Sequence, residues 1–459
     1  MAVRLLWFRR DLRLGDNPAL HAAAGVFDGE PATVLPVFVV DPALWRPAGN
    51  ARQAYLVRSL RALDDALRER GGALVLRHGA PAQEIARLAA EVGADEVHAA
   101  ADFGPYGRER DAEVEEALAP AGARLVRTGS PYAVAPGRVA KRDGSPYRVF
   151  TPFLRAWTDH GWRAPLPEPE GVDWLTAPGD PLPDEPAAPR YLPLAGEEAA
   201  YAHWSAYRDG GLAKYAELRD RADLPGTSRL SVHLRFGELH PRTLLHEAGA
   251  SAQAFRSELC WREFYADVLW HHPESARSYL RPEFARMDHD TGDDADGLFD
   301  AWRAGRTGFP FVDAGMRQLL AEGWMHNRVR MVVASFLVKD LHQEWTRGAA
   351  HFMSRLADGD LASNSHGWQW VAGCGTDAAP YFRIFNPVAQ GRKFDPDGDY
   401  VRRYVPELRG VPGAAVHEPW KLPGGTPAGY PPPVVDHAEE RAEALARYAR
   451  VRDQSRAAD

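Results

Sequence analysis

Val3-Arg4-Leu5-Leu6-Trp7-Phe8 is a short, mostly apolar run, and the chain turns polar immediately after it at Arg9-Arg10-Asp11. It reads as a β-strand. Four more runs of this kind follow, Thr33 to Val40, Ala73 to Arg77, Asp95 to Ala100 and Ala123 to Val126. Helical patterns lie between them. Leu56, Leu60, Leu63 and Leu67 share one face at spacings of four, three and four. Another helix is expected to open at Pro81, a favourable first-turn residue. Strand and helix in alternation predict a doubly wound parallel sheet over residues 1–128. Neither GxGxxG nor a P-loop occurs there, so the usual dinucleotide reading fails. The carboxyl ends of the strands remain the place where such sheets take a ligand.

Outward from this domain the composition changes. Residues 129–195 are rich in proline, with Pro165, Pro167, Pro169, Pro178, Pro181, Pro183, Pro186 and Pro189, and read as a long connector. Helical patterns dominate residues 196–459, among them a helix expected from Val329 to Trp345 and a last one near His437 to Asp453. The 459 residues are 45% hydrophobic and 26% charged, an ordinary globular balance. Two cysteines, Cys260 and Cys374, exclude a disulfide framework or a CxxC metal site. The apolar run after Met1 is too short for a signal peptide, and no stretch of ~20 apolar residues predicts a membrane span. A cytoplasmic protein is expected. The net charge of -8 argues mildly against nucleic acid, although a local cationic patch on an acidic protein still binds phosphate. The 14 tryptophans are an excess that suits core filling, stacking or electron transfer.

Three stretches carry chemistry. Gly226-Thr227-Ser228-Arg229-Leu230-Ser231 places small hydroxyl residues after a glycine at the start of a helical pattern. This is either an anion cradle for a diphosphate or a plain helix cap. In Trp324-Met325-His326-Asn327-Arg328-Val329-Arg330-Met331, Asn327 and Met331 share a helix face. The amide can hydrogen-bond a base or ring edge, and the thioether offers a soft apolar contact. Arg328 points elsewhere, toward a phosphate or simply solvent. Asp358-Gly359-Asp360-Leu361-Ala362-Ser363-Asn364 suggests a metal loop at first sight. The further oxygen ligands and closing Glu of a calcium site are missing, so the carboxylates are better suited to an Arg and a polar heterocycle.

Together with Trp7-Phe8-Arg9-Arg10-Asp11-Leu12-Arg13, Trp261-Arg262-Glu263-Phe264-Tyr265, Thr307 to Met316, Ala334 to Leu341, Gly367-Trp368-Gln369-Trp370 and Thr376 to Gln390, these motifs make the chain resemble the photolyase/cryptochrome family from Leu5 to about Trp420. The resemblance is strongest to class I cyclobutane pyrimidine dimer photolyases. It implies an α/β antenna domain joined by the connector to a helical FAD-binding domain. It also implies a monomer that acts on DNA containing pyrimidine dimers, flipping the damaged bases out of the stack. By that resemblance Tyr215, Thr227, Ser228, Arg229, Leu230 and Ser231 hold the FAD phosphates and ribose. Arg330 and Asp358 pair beside the isoalloxazine, Gly359 and Asp360 adjoin the cofactor, and Asn364 faces N5. The dimer enters among Glu258, Trp261, Asn327, Met331 and Trp370, while Arg219, Arg262, Arg328 and Gln390 touch DNA. Excited, reduced flavin would lend the dimer an electron, with Glu258 stabilising the radical anion.

Two features stand apart. The family's tryptophan chain to oxidised flavin would here run through Trp368 and Trp345, but the outer segment Met287-Asp288-His289-Asp290-Thr291-Gly292-Asp293-Asp294 holds neither Trp nor Tyr. Slow photoreduction is therefore expected, unless another residue such as Trp302 or Trp324 serves. The segment Asp102 to Asp111 looks like that of the deazaflavin-binding branch. An antenna chromophore, 8-hydroxy-5-deazaflavin or else methenyltetrahydrofolate, is expected at Arg10, Asp41, Arg52 and Asp102, against the alternative of a purely structural groove. The same fold also serves cryptochrome light receptors and (6-4) photolyases. Met331, Asn364 and the Trp261/Trp370 pair favour dimer repair, and Asn327 and Met331 occupy the face where a (6-4) enzyme would want paired histidines.

Overall fold

The first expected strand forms as β1, Ala2–Phe8, and its Leu5, Leu6, Trp7 and Phe8 are all at most 2% exposed. Consecutive side chains point to opposite faces, so both faces of this strand are covered, as in parallel sheets flanked by helices. The remaining strands are β2 (Ala32–Val40), β3 (Val75–His78), β4 (Glu96–Ala99), β5 (Arg124–Arg127) and β6 (Asp173–Trp174). They run parallel in the order β3-β2-β1-β4-β5, with the two-residue β6 pairing to β2 at Thr33 and Val34. β3 pairs with β2 only from Val37 to Val40, which leaves the start of that edge for β6. The computed structural model describes residues 2–376 and 382–458, without the side chains of 455–458. Residues 377–381 of the expected 376–390 motif lie outside the described residues.

The chain divides into two compact units that do not follow chain order. The first comprises Met1–Ala188, Leu192–Ala213 and Arg229–Pro273, the second Pro189–Tyr191, Lys214–Ser228 and Glu274–Asp459. In the first unit the expected leucine stripe lies on the helix Asn50–Arg68. Leu60, Leu63 and Leu67 are buried there, whereas Leu56 is half-buried and Tyr55 is fully covered instead. The Tyr55 hydroxyl donates to Glu238 at 2.7 Å. The helix expected at Pro81 runs Pro81–Val92. The proline-rich connector holds more order than its composition suggests. A helix spans Phe150–His160, and its Phe153 and Trp157 are buried.

That helix packs on Gln253–His271, and a buried carboxylate explains why. Glu263 accepts from the amides of Ala133 at 2.5 Å and Val134 at 3.0 Å and from the Trp157 indole at 2.6 Å. Burial raises the Glu263 carboxyl above its usual range, against the pull of those donors.

The second unit is helical. Its core joins Trp302, Phe311, Met316, Val329, Phe336, Trp345 and Trp368. Gly348 lies on Trp345–Arg355, three residues beyond Trp345. A Cβ there would sit 2.1 Å from the Trp368 ring, so only glycine lets that indole lie against the helix. The helix expected from Val329 to Trp345 is in fact two, Asn327–Lys339 and Trp345–Arg355. The break centres on His342, whose φ of 47° no helix accommodates, and its imidazole is held by Glu440 at 2.7 Å. The final helix runs His437–Ala458. No helix among the described residues is long and apolar enough to cross a membrane.

Candidate active site

The expected site residues fall in both compact units. In the second unit, Asn327–Lys339 opens on His326, whose ring accepts from the Arg328 amide at 3.1 Å. A histidine caps this way only when the accepting nitrogen carries no proton. Burial pushes His326 down to about 4, which keeps it neutral. The cap sets Asn327, exposed, and Met331, half-buried, on successive turns of one face. Arg328 is not an unengaged cation. It pairs with Asp220 at 3.0 Å, lies 4.6 Å over the Phe394 ring and reaches the Met331 sulfur at 3.8 Å.

Two residues further, Arg330 meets Asp358 at 2.8 Å and also donates to the Met325 carbonyl at 2.7 Å. Asp358 is 7% exposed, and its other oxygen, Oδ1, is buried without a hydrogen-bond partner among the described residues. A buried carboxylate oxygen left in this state is costly unless a ligand supplies the donor. A heterocycle with an N–H edge, such as an isoalloxazine, fits that requirement. Asp360 caps the next helix, Leu361–Ala372, by accepting from the Ser363 amide at 3.1 Å. Asn364, half-buried, donates to the Ala349 carbonyl at 3.0 Å, which fixes its amide. The same helix carries Trp368, buried, and Trp370, half-buried with the Arg383 guanidinium 5.4 Å over its ring. Tyr215 is buried, with Arg219 stacked 5.6 Å over it, and Gln390 is half-buried on Pro387–Phe394.

The hydroxyl-rich stretch crosses the division between the units at Ser228 and Arg229. It is an irregular loop. Arg229 takes a φ of 52°, and Ser231 starts a six-residue helix whose N-cap, Leu230, receives no side-chain cap bond. The plain-cap reading of Thr227 and Ser228 therefore fails.

In the first unit, Glu258, Trp261 and Arg262 share the helix Gln253–His271. Trp261 stacks on Phe150, with ring centres 3.7 Å apart and planes at 8°, and remains half-buried. Phe150 was not foreseen, since the connector carried no helical signal there. Arg262, expected on DNA, has both terminal nitrogens on backbone carbonyls, Pro131 at 3.0 Å and Leu234 at 3.2 Å. The fold uses it as a clamp.

The antenna candidates gather at the carboxyl ends of the strands. Arg10 follows β1, Asp41 follows β2, Asp102 follows β4, and Arg52 lies on Asn50–Arg68. The sheet order places the topological switch between β1 and β4, where Arg10 and Asp102 stand. Asp102 is held down to about 2, because Arg110, Arg10 and Arg9 outweigh the upward push of burial. Asp41 caps a short helix through the Ala43 amide at 2.9 Å and also accepts from the Tyr106 hydroxyl.

Two family descriptions match the chain. Residues 4–170 match "DNA photolyase", and residues 255–450 match "FAD binding domain of DNA photolyase". A deoxyribodipyrimidine photo-lyase of Streptomyces griseus is 44% identical over 458 residues, covering 96% of this chain and 98% of the relative. The Escherichia coli K12 enzyme of the same name is 40% identical, with 98% of each chain covered. Among solved structures, a class III photolyase from Agrobacterium tumefaciens superposes with a TM-score of 0.90 at 39% identity, covering 99% of this chain and 98% of its own. An N-terminal parallel α/β domain, a helical FAD-binding domain and this full-length similarity have one reading: the chain belongs to the DNA photolyase family.

Proposed function

We infer that the chain is a deoxyribodipyrimidine photo-lyase, a light-driven lyase that repairs cyclobutane pyrimidine dimers in DNA. The observation that carries this reading is the Arg330–Asp358 pair. Its unpartnered buried oxygen asks for a heterocyclic donor, next to a helix that presents the neutral Asn364. When bound, reduced and lit, FAD supplies the electron that opens the dimer's two ring bonds. The protein supplies placement. Arg330 and Asp358 orient the ring edge, and Asn364 adds no negative charge beside an anionic cofactor. Tyr215, the Thr227 and Ser228 hydroxyls, Arg229, Leu230, Ser231, Gly359 and Asp360 hold the rest of FAD. Trp261 and Trp370 cover the apolar faces of the extruded dimer, with Asn327 and Met331 at its edge and Glu258 on its carbonyl side. Arg219, Arg328 and Gln390 meet the DNA.

The functional division proposed is 1–128 for the antenna, 129–195 for the connector and 196–459 for FAD and DNA. The class I assignment and an 8-hydroxy-5-deazaflavin antenna at Arg10, Asp41, Arg52 and Asp102 belong to the same proposal, as do a monomeric state and a cytoplasmic location. The absorption spectrum of the purified protein separates a deazaflavin from a folate. The deciding assay gives dimer-containing DNA to protein whose flavin is verified as reduced. Intact pyrimidines should return under near-ultraviolet or blue light and not in darkness. Equal repair in darkness, or none in light, would sink the reading.

A further inference from the structure

We propose that Tyr279 is the outer electron donor to Trp345 and hands its phenolic proton to His289. This rests on the flavin reading above and replaces the expectation of a broken chain. Trp345 is 2% exposed, so an external reductant cannot meet it directly. The Tyr279 ring stands edge-on to it, with centres 6.0 Å apart and planes at 82°. Trp302 offers a branch, 6.1 Å from Trp368, but it is fully buried and gives a hole no direct exit. Tyr279 lies ten residues before His289, outside the segment Met287 to Asp294.

A phenol is a useful donor only if its proton leaves with the electron, because the phenol radical cation is a very strong acid. The Tyr279 hydroxyl lies 3.1 Å from His289 Nε2 and 3.3 Å from Glu344 Oε1. With the proton of the neutral ring on Nδ1, His289 Nε2 is the acceptor that this step needs, within hydrogen-bond distance of the hydroxyl. Burial lowers His289, so it is neutral near pH 7, and burial with Glu344 raises Tyr279, so the phenol keeps its proton until oxidised. Among the described residues, Asp288, His342, Glu344, Cys374 and Arg447 are the titratable groups that line the cavity at this pair or bond the pair. Cys374 lines the same small cavity, of about 30 Å³, but burial pushes its thiol up to about 12, so it is no thiolate competitor.

The step balances. With FAD bound, oxidised and lit, the flavin would be the oxidant, and a one-electron hole passed on by Trp368 would come to rest on Trp345. Tyr279 fills that hole. Its O–H bond breaks, an N–H bond forms on His289, and the products are neutral indole, a neutral tyrosyl radical and imidazolium. An external thiol then returns a hydrogen atom to the tyrosyl oxygen, and His289 releases its proton to water.

The test is pulsed illumination of the oxidised holoprotein with radical detection by electron paramagnetic resonance. The parent should show a neutral tyrosyl signal, narrowed by ring-deuterated tyrosine, that appears more slowly in D2O. Tyr279→Phe and Trp345→Phe should both lose it, and Tyr279→Trp should yield a tryptophan radical instead. His289→Gln should slow its appearance more than Glu344→Gln does. In the dark, nitrogen NMR of the parent should show His289 Nε2 as an unprotonated acceptor, a signature shifted by Tyr279→Phe. A tryptophan radical without tyrosyl in the parent, or a tyrosyl signal that survives Tyr279→Phe, overturns the proposal. If Tyr279→Phe does not fold, the Tyr279→Trp and His289→Gln results decide alone. Absence of any protein radical while flavin is bound overturns the electron-chain reading beneath it, and repair by pre-reduced protein then reports separately on the photolyase assignment.

Discussion

Arg328 and Trp261 are both offered to DNA in the functional reading, but each already has a partner. Arg328 is neutralised by Asp220 at 3.0 Å, so binding phosphate means exchanging a carboxylate for a phosphate. Removing the arginine should flatten the slope of log affinity against log salt by about one unit. Asp220→Asn should tighten binding to damaged DNA and to undamaged DNA alike, since a phosphate contact carries no damage information. A filter-binding or anisotropy series over salt checks both. Unchanged slopes would place Arg328 off the DNA path. Trp261 has one face on Phe150 at 3.7 Å. Trp261→Ala should weaken damaged-DNA binding by about 1–3 kcal/mol, the worth of one stacking platform, while flavin content holds. Loss of flavin with unaltered DNA affinity would make Trp261 a core residue. Arg262 shows the limit of reading such residues from a motif. Its charge suits phosphate, and only the backbone path of Pro131 and Leu234 reveals that the guanidinium is used internally.

At the scale of elements, the cap on Asn327–Lys339 ties the site to pH. His326 must be neutral to accept from the Arg328 amide, and its folded value is about 4 against an ordinary 6.5. Between those values the unfolded chain binds more protons than the folded one. Stability from this group is therefore complete above about pH 6.5 and is lost as pH falls through about 4. His326→Asn keeps a cap acceptor and removes the titration. The melting temperature of the parent should fall relative to that variant as pH drops from 6.5 to 4, and a constant difference would count against the cap. This helix was legible as a helix, but its end was not. The apolar periodicity runs on past Lys339, and the break comes from His342 being held by Glu440, almost a hundred residues away in sequence. The helix Phe150–His160 was hidden for a related reason. It forms by burying Phe153 and Trp157 against a distant helix, and the surrounding prolines mask that local signal. By contrast β1 and β2 stood out because central parallel strands covered on both faces are apolar at nearly every position, whereas the shorter β3, β4 and β5 mix apolar and polar residues and were legible from their alternation with helical patterns.

For the molecule as a whole, the tryptophan excess turns out to serve more than one end. Trp157, Trp204 and Trp302 are fully buried core, while Trp261 and Trp370 are half-buried on helices that carry other site residues. Composition could pose those uses but not sort them, since sorting needs exposure. The candidate site could be read from sequence where a motif keeps its residues close, as from Asp358 to Asn364. The approach of Tyr279 to Trp345 could not, because it joins residues far apart in the chain. The Glu263 carboxylate has a consequence for chain continuity. Lys141 to Gly144 is an exposed turn and a natural point of attack for trypsin. A cut there would leave every sheet strand but β6 on the shorter piece. Glu263 would still hold Ala133 and Val134, Arg262 would hold Pro131, and the His240 ring would hold the Ser130 carbonyl at 2.8 Å, all across the cut. The nicked protein should run as two bands in detergent and elute from a sizing column as one species. Glu263→Gln removes the charge that binds those amides, and in that variant the nicked pieces should part at a lower denaturant concentration than in the parent. Covalent joining at this point would then be a matter of synthesis, with buried polar contacts holding the pieces afterwards.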